Sequence, residues 1–107
     1  MRYEWSPNIA IYVRDLEEAR LFYMETLGFK ELSPTGDFLT LSSGPCTLFL
    51  TDKPGFTGAV HELFVDDVEI ARNEMLKQGC EVLVWEGKGR DCYIKDPNGI
   101  IFNLWEK

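Results

Sequence analysis

Histidine is nearly missing from this chain: there is one, His61, in 107 residues. A metal centre drawing two imidazoles from one chain is therefore excluded, including the iron site of two histidines and one carboxylate. Cysteine is scarce too. Cys46, Cys80 and Cys92 are odd in number and form no C-x-x-C pair. That argues for reduced thiols and a cytoplasmic location rather than a disulfide framework. Each cysteine reads as a small buried apolar side chain. A nucleophilic thiol needs a neighbouring base, and a single histidine leaves little to supply one. Positive charge is also short, with 11 Lys and Arg against 18 Asp and Glu and a formal net charge of −7. Phosphate backbones and anionic membranes call for a basic stripe, so neither nucleic acid nor a membrane is an expected partner. A cationic ligand is compatible with this balance. No apolar run approaches the roughly 18 residues that span a bilayer, and Met1-Arg2-Tyr3-Glu4-Trp5-Ser6-Pro7-Asn8 has no apolar h-region.

What is present is globular in composition, with 45% apolar and 27% charged residues. The length suits one domain with a thin core. The chain repeats itself at an offset of 52 residues. Val13-Arg14-Asp15-Leu16-Glu17-Glu18-Ala19-Arg20 meets Val65-Asp66-Asp67-Val68-Glu69-Ile70-Ala71-Arg72, with five of eight positions identical. Downstream, Leu27-Gly28-Phe29 meets Gln78-Gly79-Cys80 with a slip of one residue. A fixed period of this length marks two copies of one supersecondary unit. We therefore divide the chain into module one (1–52), a linker (53–58) and module two (59–107).

Each module reads alike. Alternation predicts a strand over 8–13, and Asp15 caps a helix whose apolar positions Leu16, Ala19, Phe22, Tyr23, Thr26 and Leu27 recur at three and four. Gly28 stops it. Strands are predicted over 29–33, 37–42 and 46–51, with breaks at Ser33-Pro34-Thr35-Gly36 and Ser42-Ser43-Gly44-Pro45. Module two repeats this with a strand over 59–65, a helix capped by Asp67 and stopped at Gly79, and strands over 81–85, 91–95 and 100–105. Its turns are Glu86-Gly87-Lys88-Gly89 and Asp96-Pro97-Asn98-Gly99, the latter with Pro second and Gly fourth as in a type I turn.

This βαβββ unit, taken twice, resembles the vicinal oxygen chelate superfamily, the glyoxalase, bleomycin-resistance and extradiol-dioxygenase fold. The markers are Val13-Arg14-Asp15-Leu16-Glu17, Phe22-Tyr23-Met24-Glu25-Thr26-Leu27-Gly28-Phe29, Phe64-Val65-Asp66-Asp67-Val68 and Asp96-Pro97-Asn98-Gly99-Ile100-Ile101-Phe102-Asn103-Leu104. The resemblance implies an α+β fold in which paired four-stranded curved sheets enclose a cavity, with helices outside. It also implies a homodimer. Alternation then aims Asn8, Tyr12, Phe49, Val60, Glu62, Phe64, Asn103 and Trp105 into that cavity, and a slip of one residue would exchange the faces.

The resemblance further places four metal ligands, usually His and Glu, at positions that here are Asn8, Phe49, Val60 and Asn103. Phenylalanine and valine have no donor atom, and an asparagine carbonyl is a poor ligand for Zn, Ni or Fe. No metal or other cofactor is therefore expected. His61 lies one position away from a ligand position and reads as facing the helix layer or solvent. Glu62 reads either as solvated or paired, or as a binder of a cationic group and a weak candidate base. Tyr12, Phe49, Phe64 and Trp105 read as core or as a stacking pocket. Lys88 and Arg90 are candidate rim contacts for an anionic group, and Asp66-Asp67 reads as a cap. Trp5 and Trp85 read as partly exposed, with a subunit interface as an alternative.

Three functions compete. The first is a metal-independent protein that sequesters an aromatic or cationic small molecule, with Asn8, Tyr12, Phe49, Glu62, Phe64, Asn103 and Trp105 as its ligand-binding residues. The second is a small lyase, isomerase or dioxygenase using a metal or Glu62. The third is a non-catalytic interaction module. The missing ligand donors and the inward aromatics favour the first.

Overall fold

A computed structural model describes residues 1–32 and 38–107. The predicted Ser33-Pro34-Thr35-Gly36 break and Asp37 lie outside the described residues. The elements, in order, are β1 (Tyr3–Tyr12), α1 (Leu16–Leu21) running into a π-helical turn (Phe22–Thr26), β2 (Lys30–Glu31), β3 (Leu39–Ser42) and β4 (Thr47–Thr51). Then come β5 (Gly58–Val65), α2 (Val68–Lys77), β6 (Glu81–Trp85), β7 (Cys92–Lys95) and β8 (Ile101–Glu106). The chain forms two compact units, Pro7–Ala59 and Met1–Ser6 with Val60–Lys107.

In the unit Pro7–Ala59 the strand order is β2-β3-β4-β1. β1 runs parallel to β4, with Asn8 opposite Thr47 and Tyr12 opposite Thr51, and the other neighbours are antiparallel. The second unit has the same order, β6-β7-β8-β5, with β5 parallel to β8 and Glu62 opposite Asn103. The first strand of each unit thus returns beside its last, which requires the intervening helix to cross over. The fold is α+β, a βαβββ unit formed twice.

Alternation along each strand decides which face carries the helix. In the first unit Leu39, Leu41, Leu48 and Leu50 are buried with Ala19, and Ile9, Ile11, Leu16 and Tyr23 pack against them. In the second, Leu63, Val65, Cys92, Ile94 and Leu104 are buried with Val68 and Ala71 of α2. On the first and last strands of each unit these are the positions that alternation leaves on the side away from the predicted inward residues. Leu41, Leu50 and Ile94 are completely buried, and each contributes about 1.5–3 kcal/mol by leaving water.

Both helices start as read. Asp15 Oδ1 accepts the Glu18 N–H at 3.0 Å, and Asp67 Oδ1 accepts the Ile70 N–H at 3.0 Å. Both stop at a glycine with positive φ, Gly28 at 75° and Gly79 at 93°. Their middles differ. Thirteen positions separate Asp15 from Gly28 and twelve separate Asp67 from Gly79. The extra residue is absorbed by widening: Leu27 N–H reaches back five residues to Phe22 O at 3.1 Å. A π-helical turn accommodates one inserted residue and keeps the register on either side. The one-residue slip in the repeat is therefore a structural event, where a regular helix was expected.

β1 starts five residues before the predicted strand. Pro7 does not end the strand, because proline is tolerated where a strand needs no N–H. The early residues are held within the second unit. Arg2 N–H donates to Asp66 Oδ2 at 2.9 Å, Tyr3 Oη donates to Glu74 Oε2, and the Trp5 ring meets His61 and Phe102 at 5.5 and 5.6 Å.

Candidate functional site

In the second unit the sheet face turned away from α2 carries the chemistry. Leu63, Val65, Phe102 and Leu104 point toward the helix, so Glu62, Phe64, Asn103 and Trp105 occupy the opposite face. The parallel register sets Glu62 beside Asn103 and Phe64 beside Trp105. Tyr93, opposite Asn103 on β7, continues the Glu62–Asn103 row across the sheet. The result is an aromatic pair with an acid and an amide one row along. Glu62, Phe64, Asn103 and Trp105 are all half-buried, while Val60 and Tyr93 on this face are buried.

Asn103 is partly committed. Its Oδ1 accepts the Cys92 backbone N–H at 2.9 Å. That bond orients the amide.

In the first unit, Asn8, Tyr12 and Phe49 lie on the face opposite α1, by the same alternation about Ile9, Ile11, Leu48 and Leu50. Phe49 is half-buried, and Phe38 meets it edge-on at 6.1 Å. Tyr12 is buried under Phe56 of the linker, with ring centroids 5.2 Å apart. The seven sequence-derived ligand residues thus fall into a set of three and a set of four, each sharing one sheet face of its own unit.

The remaining candidates resolve into structural parts. His61 lies on the helix side of β5, against Trp5. Lys88 Nζ pairs with Glu106 Oε2 at 2.9 Å, and Glu106 Oε1 accepts the Val68 N–H at 2.9 Å. Glu106 thus supports the start of α2, and these two bonds hold its carboxyl below the usual range, the Val68 N–H most of all. Arg90 is exposed. In the Asp96 turn, Oδ1 accepts from the N–H groups of Asn98 and Ile100 at 2.8 and 2.9 Å, an Asx turn rather than a site. Trp85 packs under the Arg72 guanidinium, 5.3 Å from its centroid, and donates to Glu69 at 3.3 Å. Burial pushes the thiols of Cys80 and Cys92 up, away from the thiolate a nucleophile needs.

Sequence reasoning missed three features. Glu4 and Lys107 share the parity of Phe64's face, and Lys107 Nζ sits 5.0 Å from the Phe64 centroid and 2.7 Å from Glu4 Oε2. The alternation of Tyr3 and Trp5 against Glu4 and Ser6 was the available signal. The third feature is a groove of about 470 Å³ beside α2, lined by Tyr3, Leu63, Glu74, Met75 and Cys80 among others. Tyr3 is pushed up to about 12 there, first by burial and then by its bond to Glu74.

Known proteins give this geometry its context. The family model described as the Glyoxalase/Bleomycin resistance protein/Dioxygenase superfamily matches residues 6–104. No curated protein matches the chain. Among solved structures, a member of that superfamily from Vibrio splendidus 12B01 is 16% identical, with a TM-score of 0.65, covering 96% of this chain and 95% of its own. A hypothetical protein from Bacillus halodurans C-125 is 15% identical, with a TM-score of 0.67 and coverage of 100% and 96%. Methylmalonyl-CoA epimerase from Mycobacterium tuberculosis is 20% identical, with a TM-score of 0.55 and coverage of 92% and 83%. Identities this low speak for the fold alone, and one fold hosts many chemistries. The family match spans nearly the whole sequence, and the chain belongs to the Glyoxalase/Bleomycin resistance protein/Dioxygenase superfamily.

Proposed function

We propose that the chain is a metal-independent small-molecule-binding protein whose ligand is an organic cation with an aromatic body. The observation that carries this reading is the row pattern of the second unit: Phe64 beside Trp105, with Glu62 beside Asn103 on the same face. A planar body stacks on the aromatic pair, the Glu62 carboxylate attracts a positive group, and the Asn103 NH2 supplies a directional bond. Asn8, Tyr12 and Phe49 are the first unit's own candidates for ligand contact, on the corresponding face of its sheet. The net charge of −7 favours the approach of a cation.

The donor chemistry supports a role without metal. The positions that resemblance assigns to ligands hold Phe49 and Val60, which have no donor, and Asn103, whose carbonyl oxygen is already bonded to Cys92 N–H. Asn8 supplies only a neutral amide. These residues do not fit a transition-metal site. The same proposal includes a homodimer, in line with the 59% exposure of Trp5, and a cytoplasmic setting, in line with three free thiols.

A catalytic alternative needs Glu62 to move a proton. Tryptophan fluorescence of EDTA-treated protein, titrated with 2-phenylethylammonium, separates the readings. The binding role predicts saturable quenching that Trp105→Ala abolishes and Glu62→Gln weakens. No response at millimolar concentration contradicts it.

A further inference from the structure

The corner formed by Phe64 and Glu4 already holds a cation, and the cation belongs to the chain. Lys107 Nζ lies 5.0 Å from the Phe64 centroid and 2.7 Å from Glu4 Oε2. The backbone puts it there: Lys107 N–H donates to Val65 O at 3.1 Å, continuing the pairing of β8 with β5 by one residue. Lys107 therefore takes the parity of Asn103 and Trp105 and reaches over the ring that stands opposite Trp105. The Lys107 hydrogen bond holds the Glu4 carboxyl below its usual range. An ammonium over an aromatic face with a carboxylate behind it is the arrangement that recognises organic cations.

Lys107 is held there loosely. Its side chain is 52% exposed and that of Glu4 46%. Half-exposed ion pairs and cation–π contacts are each weak, and lysine carries its charge on a flexible, well-hydrated stem. Swinging out into water costs it little.

We propose that Lys107 is a resident placeholder: its ammonium fills a subsite made by the Phe64 ring and the Glu4 carboxylate, and the ammonium group of a ligand binds by displacing it. This rests on the organic-cation reading above and adds a subsite and a competition to it: the Phe64 ring and Glu4 seat the ammonium, and the Glu62 carboxylate acts on it only through its field. The incoming group is a primary to quaternary ammonium whose aromatic body extends toward Trp105. Because Lys107 is tethered beside the subsite, it competes at an effective concentration in the millimolar range. It lowers the apparent affinity for cations while leaving neutral analogues untouched. Only a ligand with enough aromatic contact to add to its charge displaces it, which makes the lysine a filter against small inorganic and aliphatic cations.

Carbon-13 NMR of the wild-type protein tests this with 2-phenylethylammonium as the probe. In the free protein the Lys107 ε-methylene is shifted upfield by the Phe64 ring, and at saturation it moves to the position of an exposed lysine. Lys107→Met binds the probe about 3- to 10-fold more tightly, and binds neutral 2-phenylethanol as the wild type does. Glu4→Gln binds the probe more weakly. If the ε-methylene stays ring-shifted at saturation, or if Lys107→Met gains nothing, the placeholder is overturned while the binding role stands. If neither protein binds the probe, the organic-cation reading fails and the subsite falls with it. Unfolding curves for Lys107→Met, expected to keep the wild-type cooperativity and m-value with a midpoint lowered only slightly by the lost contact, show that the variant is intact.

Discussion

Asn103 illustrates how a residue's existing bonds limit its further roles. Its oxygen is the acceptor for Cys92 N–H, and Cys92 is fully buried. Asn103→Leu should therefore lose about 1–3 kcal/mol of stability by stranding that donor. Asn103→Asp, which keeps an acceptor, should lose less. Urea midpoints with unchanged m-values measure both, and equal stability of wild type and Asn103→Leu would refute the structural role. Tyr3 gives a pH prediction. Its phenol is raised from 10.0 to about 12, so the folded chain holds a proton that the unfolded chain releases. Stability from this group is fully present below about pH 10 and is lost as pH rises toward 12. Lysines titrate in the same range, so the test is a difference: between pH 9 and 11.5 wild type should lose more stability than Tyr3→Phe. At this scale, parity was readable wherever apolar residues alternated, as at Ile9 and Ile11 or Leu63 and Val65. Glu4 and Lys107 were missed because they lie past the predicted ends of their strands, although alternation already reached Glu4.

The two helices show what an inserted residue does to an element. Their caps were legible from Asp15 and Asp67, since a carboxylate before an amphipathic run has a definite partner N–H to satisfy. Replacing either by alanine should cost about 1 kcal/mol, read from thermal unfolding. The π-helical turn was legible only as the one-residue slip in the repeat, because periodicity alone does not distinguish a widened turn from a regular one. Deleting Glu25 should remove the insertion and leave a regular helix from Leu16 to the glycine stop. The shifts of Cα in NMR would report it. Deleting Asn73 from the middle of α2 should be much more damaging, because a regular helix rotates by about 100° per residue and Met75 would turn away from the core that Val68 and Ala71 anchor. Comparable losses for the two deletions would contradict the insertion account.

For the molecule as a whole, the repeat made the fold legible before any element boundary was exact. Two copies of βαβββ leave few ways to bury two thin cores. The chemistry was less legible. Sequence pattern located the face bearing Glu62, Phe64, Asn103 and Trp105, because strand alternation is strict. It could not show that Asn103 is half committed, that Tyr12 lies under Phe56 or that Lys107 covers Phe64, since those contacts are tertiary. The central claim is that this face takes an organic cation without help from a metal. The most direct test is chemical-shift mapping of EDTA-stripped protein titrated with 2-phenylethylammonium. The account predicts saturable shifts at the Trp105 indole N–H, the Phe64 ring and the Asn103 side-chain amide in metal-free buffer. Shifts that arise only after a divalent metal is restored, or that map to the groove of Tyr3 and Glu74 instead, would contradict it.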